Sequence, residues 1–153
     1  MRHLRVALSA LAVLTWTYPA GAGPVAEGSV SGQQVEVVAL KADGAGMVTL
    51  TLRITNNTDK KLELNCTLRD NGRNGDCQDV SGISLIDAVN KKRYLVIQDT
   101  DRKCLCTTTL ADLPGKGTTT VWAKFAAPPD DVKTVSVIVP LFQPLDGVAI
   151  AGP

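Results

Sequence analysis

Four cysteines are the residues whose types and spacing most directly suggest chemistry, and they are Cys66, Cys77, Cys104 and Cys106. In an exported chain an even number of cysteines predicts disulfides, here two with three pairings open. Joining Cys66 to Cys77 would close a loop of about a dozen residues and stabilise the fold by roughly 3 kcal/mol through the unfolded state. Cys104 and Cys106 would then bond across a single residue.

That second bond requires a bend in the backbone. In an extended strand the two Cα atoms lie roughly 6.5 to 7 Å apart, at the edge of what a disulfide spans. The alternative joins each of Cys104 and Cys106 to one of Cys66 and Cys77, which would lace two strands together. We favour the local pairing, because its first bridge requires no long-range register.

The same cysteines allow two other uses. Cys104-Leu-Cys106 is a candidate redox pair, but catalytic dithiols usually have two intervening residues at a helix N-terminus, and this one lies among predicted strands. A zinc site built from all four cysteines is the other candidate, and its one-residue spacing and an oxidising compartment count against it. The sequence therefore predicts structural disulfides, with no metal and no cofactor.

Histidine is absent from 23–153, since the only one in the chain is His3. This excludes Ser-His-Asp and Cys-His catalysis and a histidine general base from that region. No serine is followed three residues later by lysine, and the three glutamates, Glu27, Glu36 and Glu63, are isolated from one another. A non-enzymatic protein is the prediction that fits.

The amino terminus predicts export. Met1 to Arg5 is basic, Val6 to Trp16 is apolar, and Ala20 to Ala22 matches a small-residue cleavage site, so 1–22 read as a secretory signal peptide. The apolar run is shorter than the ~20 residues of a membrane span, and no later stretch is long and apolar enough for one. We expect a secreted protein, or one of the periplasm or cell envelope.

Length and charge narrow the class further. Residues 23–153 suffice for one domain with its own core. Without Arg2 and Arg5, 14 basic residues face 15 acidic ones, for a net charge of about −1. The only basic cluster is Lys91 to Arg93, which is too short to predict nucleic-acid binding.

The elements that must position these residues are predicted to be strands. In 47–69, two alternating apolar runs flank a polar turn and predict a hairpin; the inward residues are Val48, Leu50, Leu52, Ile54, then Leu62, Leu64, Cys66, Leu68. Further strands are predicted near 35–40, 82–87, 93–98, 118–125, 132–139 and 148–150. The segment 23–34 is rich in Gly, Ser and Ala and predicts a flexible lead-in to a domain at 35–150.

Short strands with a turn signal about every ten residues predict an all-β protein. The expected fold is a β-sandwich of immunoglobulin-like size with about seven to nine strands, with a small closed barrel as the alternative.

Several stretches also resemble the immunoglobulin-like extracytoplasmic domains of bacteria, which occur alone or ahead of OmpA-type domains. The resemblance lies in 50–62, 83–87, 92–94, 113–115 and 121–129, and spans about 35–150. It implies the sandwich fold and no site residues, because these motifs are strand and turn patterns without a catalytic signature.

A surface for binding is predicted around Trp122. In 118–125 the more apolar set, Thr119, Val121, Ala123 and Phe125, is expected to face the core. Trp122 then shares the outer face with Lys124, and exposed tryptophan is enriched at binding sites; in the alternative, Trp122 packs against the other sheet. The predicted role is contact with a protein or an envelope component, and a thiol–disulfide function of Cys104 and Cys106 is the alternative.

Overall fold

The computed structural model describes residues 23–70 and 77–152; the predicted signal peptide and residues 71–76 lie outside these ranges. The described residues form eight strands and no helix: β1 (Val25–Glu27), β2 (Gln33–Ala42), β3 (Met47–Asn56), β4 (Ser84–Asp87), β5 (Lys92–Leu95), β6 (Thr118–Ala126), β7 (Thr134–Ile138) and β8 (Leu145–Ala149). The all-β prediction is confirmed. In the same residues no helix has the length and apolar character needed to cross a membrane.

The strands form two four-stranded sheets, in the orders β1-β2-β3-β6 and β5-β4-β7-β8. Every pair of neighbouring strands is antiparallel. Both sheets contribute side chains to a single hydrophobic core, which is the arrangement of a β-sandwich. Because the sheets are separate and open, the closed-barrel alternative is wrong.

Strand β3 lies at the centre of the first sheet. Its alternating apolar side chains are at most 1% exposed, as the period-2 pattern predicts. Leu52 is paired with Val37 on one side and with Val121 on the other. The strand therefore has backbone partners along both edges and one face in the core.

The predicted second strand of the 47–69 hairpin is wrong. Leu62 forms only an isolated bridge with Leu113, and the N–H groups of Thr67 and Leu68 both donate to the carbonyl of Leu64, at 3.2 and 3.3 Å. Leu64 and Leu68 are fully buried, while Cys66 is exposed and left-handed, with a φ of 63°. Residues four apart, such as Leu64 and Leu68, lie on the same side of a helical turn as well as on the same face of a strand. The pattern therefore fitted both structures.

The predicted lead-in at 23–34 contains β1 and the start of β2. Ala26 is buried opposite Val35, and the N–H of Gly28 donates to the carbonyl of Gln33 at 2.6 Å. The edge of β2 carries backbone groups that need partners, and a short strand of small residues supplies them. The domain therefore begins earlier than its composition suggests.

The remaining predicted strands are present. Strands β4 and β5 form a hairpin, with Leu85 opposite Tyr94. Asp87 ends β4 with its side chain buried. Its carboxylate accepts the N–H groups of Val89 and Asn90, at 2.9 and 3.0 Å, and the side-chain amide of Asn90 at 2.8 Å. This one side chain closes the turn.

We expect Asp87 to make stability depend on acid. Burial is the largest influence and raises its pKa, but the hydrogen bonds from Asn90 and Val89 outweigh it, so the pKa of Asp87 is lowered from 3.8. A lowered pKa contributes stability above the unfolded value that is lost as pH falls through the folded value. In urea titrations between pH 7 and pH 2, Asp87→Asn should flatten the loss of unfolding free energy. The control Asp130→Asn removes an exposed loop carboxylate, and an equal flattening there would contradict the assignment.

Candidate functional site

The free edge of β6 is covered by residues 96–107, here named the edge segment. Ile97 donates its N–H to the carbonyl of Lys124, and Lys124 donates its N–H to Leu105, each at 2.9 Å. Cys106 pairs with Ala123 as an isolated bridge. Both predicted features, the close cysteine pair and the Trp122 face, therefore meet at this edge of the first sheet.

The tip of the edge segment is a tight turn. The carboxylate of Asp99 accepts the N–H groups of Asp101 and Lys103, at 2.9 and 2.8 Å. Arg102 adopts a left-handed φ of 63°. This turn reverses the chain so that Cys104 pairs with Gln98.

Cys104 and Cys106 are joined as a disulfide, and both are buried. Their Cα atoms lie 5.2 Å apart, which is shorter than the ~6.6 Å of an extended strand and inside the usual range for a disulfide. The backbone between them is therefore contracted, as the local pairing requires. Leu105, between them, is exposed.

Cys66 and Cys77 form the other disulfide, with a Cα separation of 4.3 Å. The N–H of Cys66 also donates to the carbonyl of Cys77 at 2.7 Å. The structure thus has the local pairing, and the bridge holds residues 66 and 77 together.

A buried ion pair lies between the two disulfides. The Nε atom of Arg69 is 3.8 Å from Oδ2 of Asp79, and both side chains are nearly inaccessible. The Nη1 atom of Arg69 is also 3.8 Å from the sulfur of Cys77. A carboxylate oxygen of Asp79 lies within 4.8 Å of the sulfurs of Cys104 and Cys106. We call these five residues the sulfur cluster.

Ser81 holds the carboxylate of Asp79, and Gly82 holds its segment against the backbone of residues 68 and 69. Ser81 donates to Oδ1 of Asp79 with its N–H at 3.0 Å and its hydroxyl at 2.5 Å. Gly82 donates its N–H to the carbonyl of Leu68 at 2.9 Å. A Cβ atom at position 82 would lie 2.8 Å from the carbonyl oxygen of Arg69, so only glycine permits this approach.

Sequence reasoning did not find Arg69 and Asp79. They follow Cys66 by three residues and Cys77 by two, so the bridge between those cysteines brings them together. The signal available in the sequence was two opposite charges, each adjacent to an apolar residue, Leu68 or Val80, that the structure buries. Charged residues are seldom buried unless they are paired.

Trp122 points outward from β6. Val121, Ala123 and Phe125 are buried, whereas Trp122 is 42% exposed. On the outer face it lies opposite Thr51 of β3, and its backbone N–H donates to the hydroxyl of Thr107 in the edge segment at 3.0 Å. Leu105 occupies the adjoining row and is 40% exposed. Two large apolar side chains therefore share this face.

Lys124 lies on the same face but has a partner. Its Nζ atom is 3.2 Å from Oδ2 of Asp43, and both side chains are half-buried. The N–H of Ala45 is the main cause of a lowered pKa of Asp43, and Lys124 adds to the effect. Lys124 thus lies beside the exposed apolar side chains, and its charge is paired within the domain.

No protein-family model, curated protein or solved structure matches this chain.

A peptide map tests the disulfide pairing. Tryptic digestion of the unreduced protein should join 62–69 to 74–91 through one bridge and leave 104–116 as a single peptide that lacks two hydrogens. Mass spectrometry before and after reduction measures both. A bond from 104–116 to either of the other peptides would contradict the local pairing.

Tryptophan fluorescence tests the outward orientation of Trp122. Once 1–22 are removed, Trp122 is the single tryptophan, and its exposure predicts emission close to that of indole in water and strong quenching by iodide. Trp122→Phe supplies the background. Blue-shifted emission that iodide does not quench, in a monomer, would rule this orientation out.

Proposed function

We propose that this chain is an immunoglobulin-like domain that acts outside the cytoplasm by binding a protein partner through the outer face of β6, without catalysis of its own. The observation that carries the proposal is the exposed pair Trp122 and Leu105 on one sheet face. Large exposed apolar side chains on one face are typical of interaction sites, and tryptophan is among the residues that most often dominate binding energy.

Strand order supports the immunoglobulin-like fold. Lettered from β2 in chain order, with the edge segment in the place of strand D, the sheets read A-B-E-D and C′-C-F-G. This order supports an immunoglobulin-like arrangement, with β1 added outside strand A. The antibody hallmarks are missing, because β4 has no tryptophan and β3 and β7 have no cysteine. The resemblance is therefore one of topology.

Export from the cytoplasm is supported by the disulfides and by the amino-terminal sequence. Two disulfides suit an oxidising compartment outside the cytoplasm. Together with the apolar segment that precedes Gly23 in the sequence, they favour a secreted, periplasmic or envelope-associated protein.

A thiol–disulfide function of Cys104 and Cys106 is the alternative. Both cysteines are buried, at 8% and 4% exposure, and the edge segment is hydrogen-bonded to β6 around them. A protein substrate needs access to sulfur, so this arrangement favours a structural bridge. Insulin reduction that depends on Cys104 would favour the alternative instead.

Site-directed cross-linking tests the binding face. A photoreactive benzoylphenylalanine at position 122 should give a discrete adduct with a protein in the extracytoplasmic fraction. The matched control carries the probe at Leu95, which is exposed on β5 in the other sheet. Excess wild-type protein should compete the adduct away. Trp122→Ala should compete about 30-fold more weakly, as expected for a residue worth about 2 kcal/mol in binding.

The stability of the competitor must be measured as well. Trp122→Ala removes an outward side chain, so we expect its unfolding free energy to fall by only about 1 kcal/mol or less. Equal adducts from positions 122 and 95, no adduct from 122, or full competition by Trp122→Ala would each contradict the proposed face.

A further inference from the structure

We propose that the sulfur cluster becomes a site for one thiophilic divalent metal ion of the zinc type when the Cys104–Cys106 disulfide is reduced. The ligands are the two thiolates and the carboxylate of Asp79. This inference is independent of the contact function of Trp122.

The geometry supplies three ligands in one place. The sulfurs of Cys104 and Cys106 and a carboxylate oxygen of Asp79 lie within 4.8 Å of one another, and all three residues are buried. Ligand atoms around a tetrahedral zinc ion are spaced at distances of this order, since zinc–sulfur bonds are about 2.3 Å and zinc–oxygen bonds about 2.0 to 2.2 Å. Three protein ligands leave the fourth position for water.

The carboxylate of Asp79 is held in place by hydrogen bonds. Ser81 binds Oδ1 of Asp79 with two hydrogen bonds, at 3.0 and 2.5 Å. A second layer of hydrogen bonds that fixes a ligand is a usual property of protein metal sites. In this cluster it directs the carboxylate before any metal arrives.

Charge balance favours a divalent ion. With the disulfide intact, Asp79 and Arg69 are opposite charges 3.8 Å apart. A divalent ion with two thiolates and the carboxylate carries one net negative charge, which the guanidinium of Arg69 neutralises. Buried charge is costly unless compensated, and the cluster is neutral both with the disulfide and with the metal.

A cavity of about 200 Å³ lies next to residues that are bonded to the cluster. Its lining includes Ser81, which is bonded to Asp79, and Gln98, which pairs with Cys104.

The reaction balances with a dithiol as reductant. The Cys104–Cys106 bond accepts two electrons and two protons and becomes two thiols, while the dithiol becomes a disulfide. The metal ion then replaces the two thiol protons, which pass to water. Metal binding and the disulfide are mutually exclusive, so the redox state of the edge segment controls the site.

Cobalt(II) titration tests the proposal. Three full-length proteins are compared: wild type, Cys104→Ser/Cys106→Ser, and Cys66→Ser/Cys77→Ser. Each is reduced with dithiothreitol and freed of it without oxygen. Wild type and Cys66→Ser/Cys77→Ser should bind one cobalt ion with a sulfur-to-metal charge-transfer band, and zinc should displace it. Oxidised wild type and Cys104→Ser/Cys106→Ser should show no band.

Two variants test Asp79 as a ligand. Asp79→Asn should weaken cobalt binding by more than about tenfold, and Ser81→Ala, which keeps the carboxylate, should weaken it by about 10- to 100-fold. Should Cys66→Ser/Cys77→Ser or Asp79→Asn fail to fold, wild type against Cys104→Ser/Cys106→Ser and Ser81→Ala still decide. A reduced wild type without the band, an equal band in Cys104→Ser/Cys106→Ser, or unchanged affinity in both Asp79→Asn and Ser81→Ala would overturn the proposal.

Discussion

The burial of one face of β3 is the constraint on which the rest of this structure depends. All five inward positions of that strand are at most 1% exposed: Val48, Leu50, Leu52, Ile54 and Asn56. The polar member of the row, Asn56, ends the strand and is fully satisfied. Its amide nitrogen donates to Lys60 and Pro114 at 2.7 and 3.1 Å, and its oxygen accepts from Thr58. The same face thus sets the core and fixes two loops, because a buried amide without partners would be costly.

The alternation of apolar and polar residues predicted the strands that are paired along both edges or have one face in the core. It predicted β3 and β6 because a two-residue period is the only repeat their apolar residues fit. It failed at Leu64 and Leu68, since a spacing of four suits a helical turn as well as a strand. Composition failed at 23–34, because backbone pairing with β2 orders small residues that bury little area. Neither alternation nor composition indicates which strand edge a segment will pair with.

The candidate site was likewise predictable only in part. Cysteine spacing predicted the local bridges, and the unequal faces of 118–125 predicted an outward Trp122. The meeting of Arg69 and Asp79 with the Cys104–Cys106 bridge could not be predicted, because it depends on how the edge segment crosses from β5 to the free edge of β6. Contacts of that kind are set by tertiary packing and leave no period in the sequence.

Both bridges are local, with sequence separations of 11 and 2, and this has a mechanical consequence. One closes a loop between β3 and β4, and the other lies within the edge segment, so neither joins the two sheets. Tension applied between the ends of the domain would be resisted by hydrogen bonds and side-chain packing alone. Once the sheets part, only the short stretches inside the bridges would keep the chain from its full contour length.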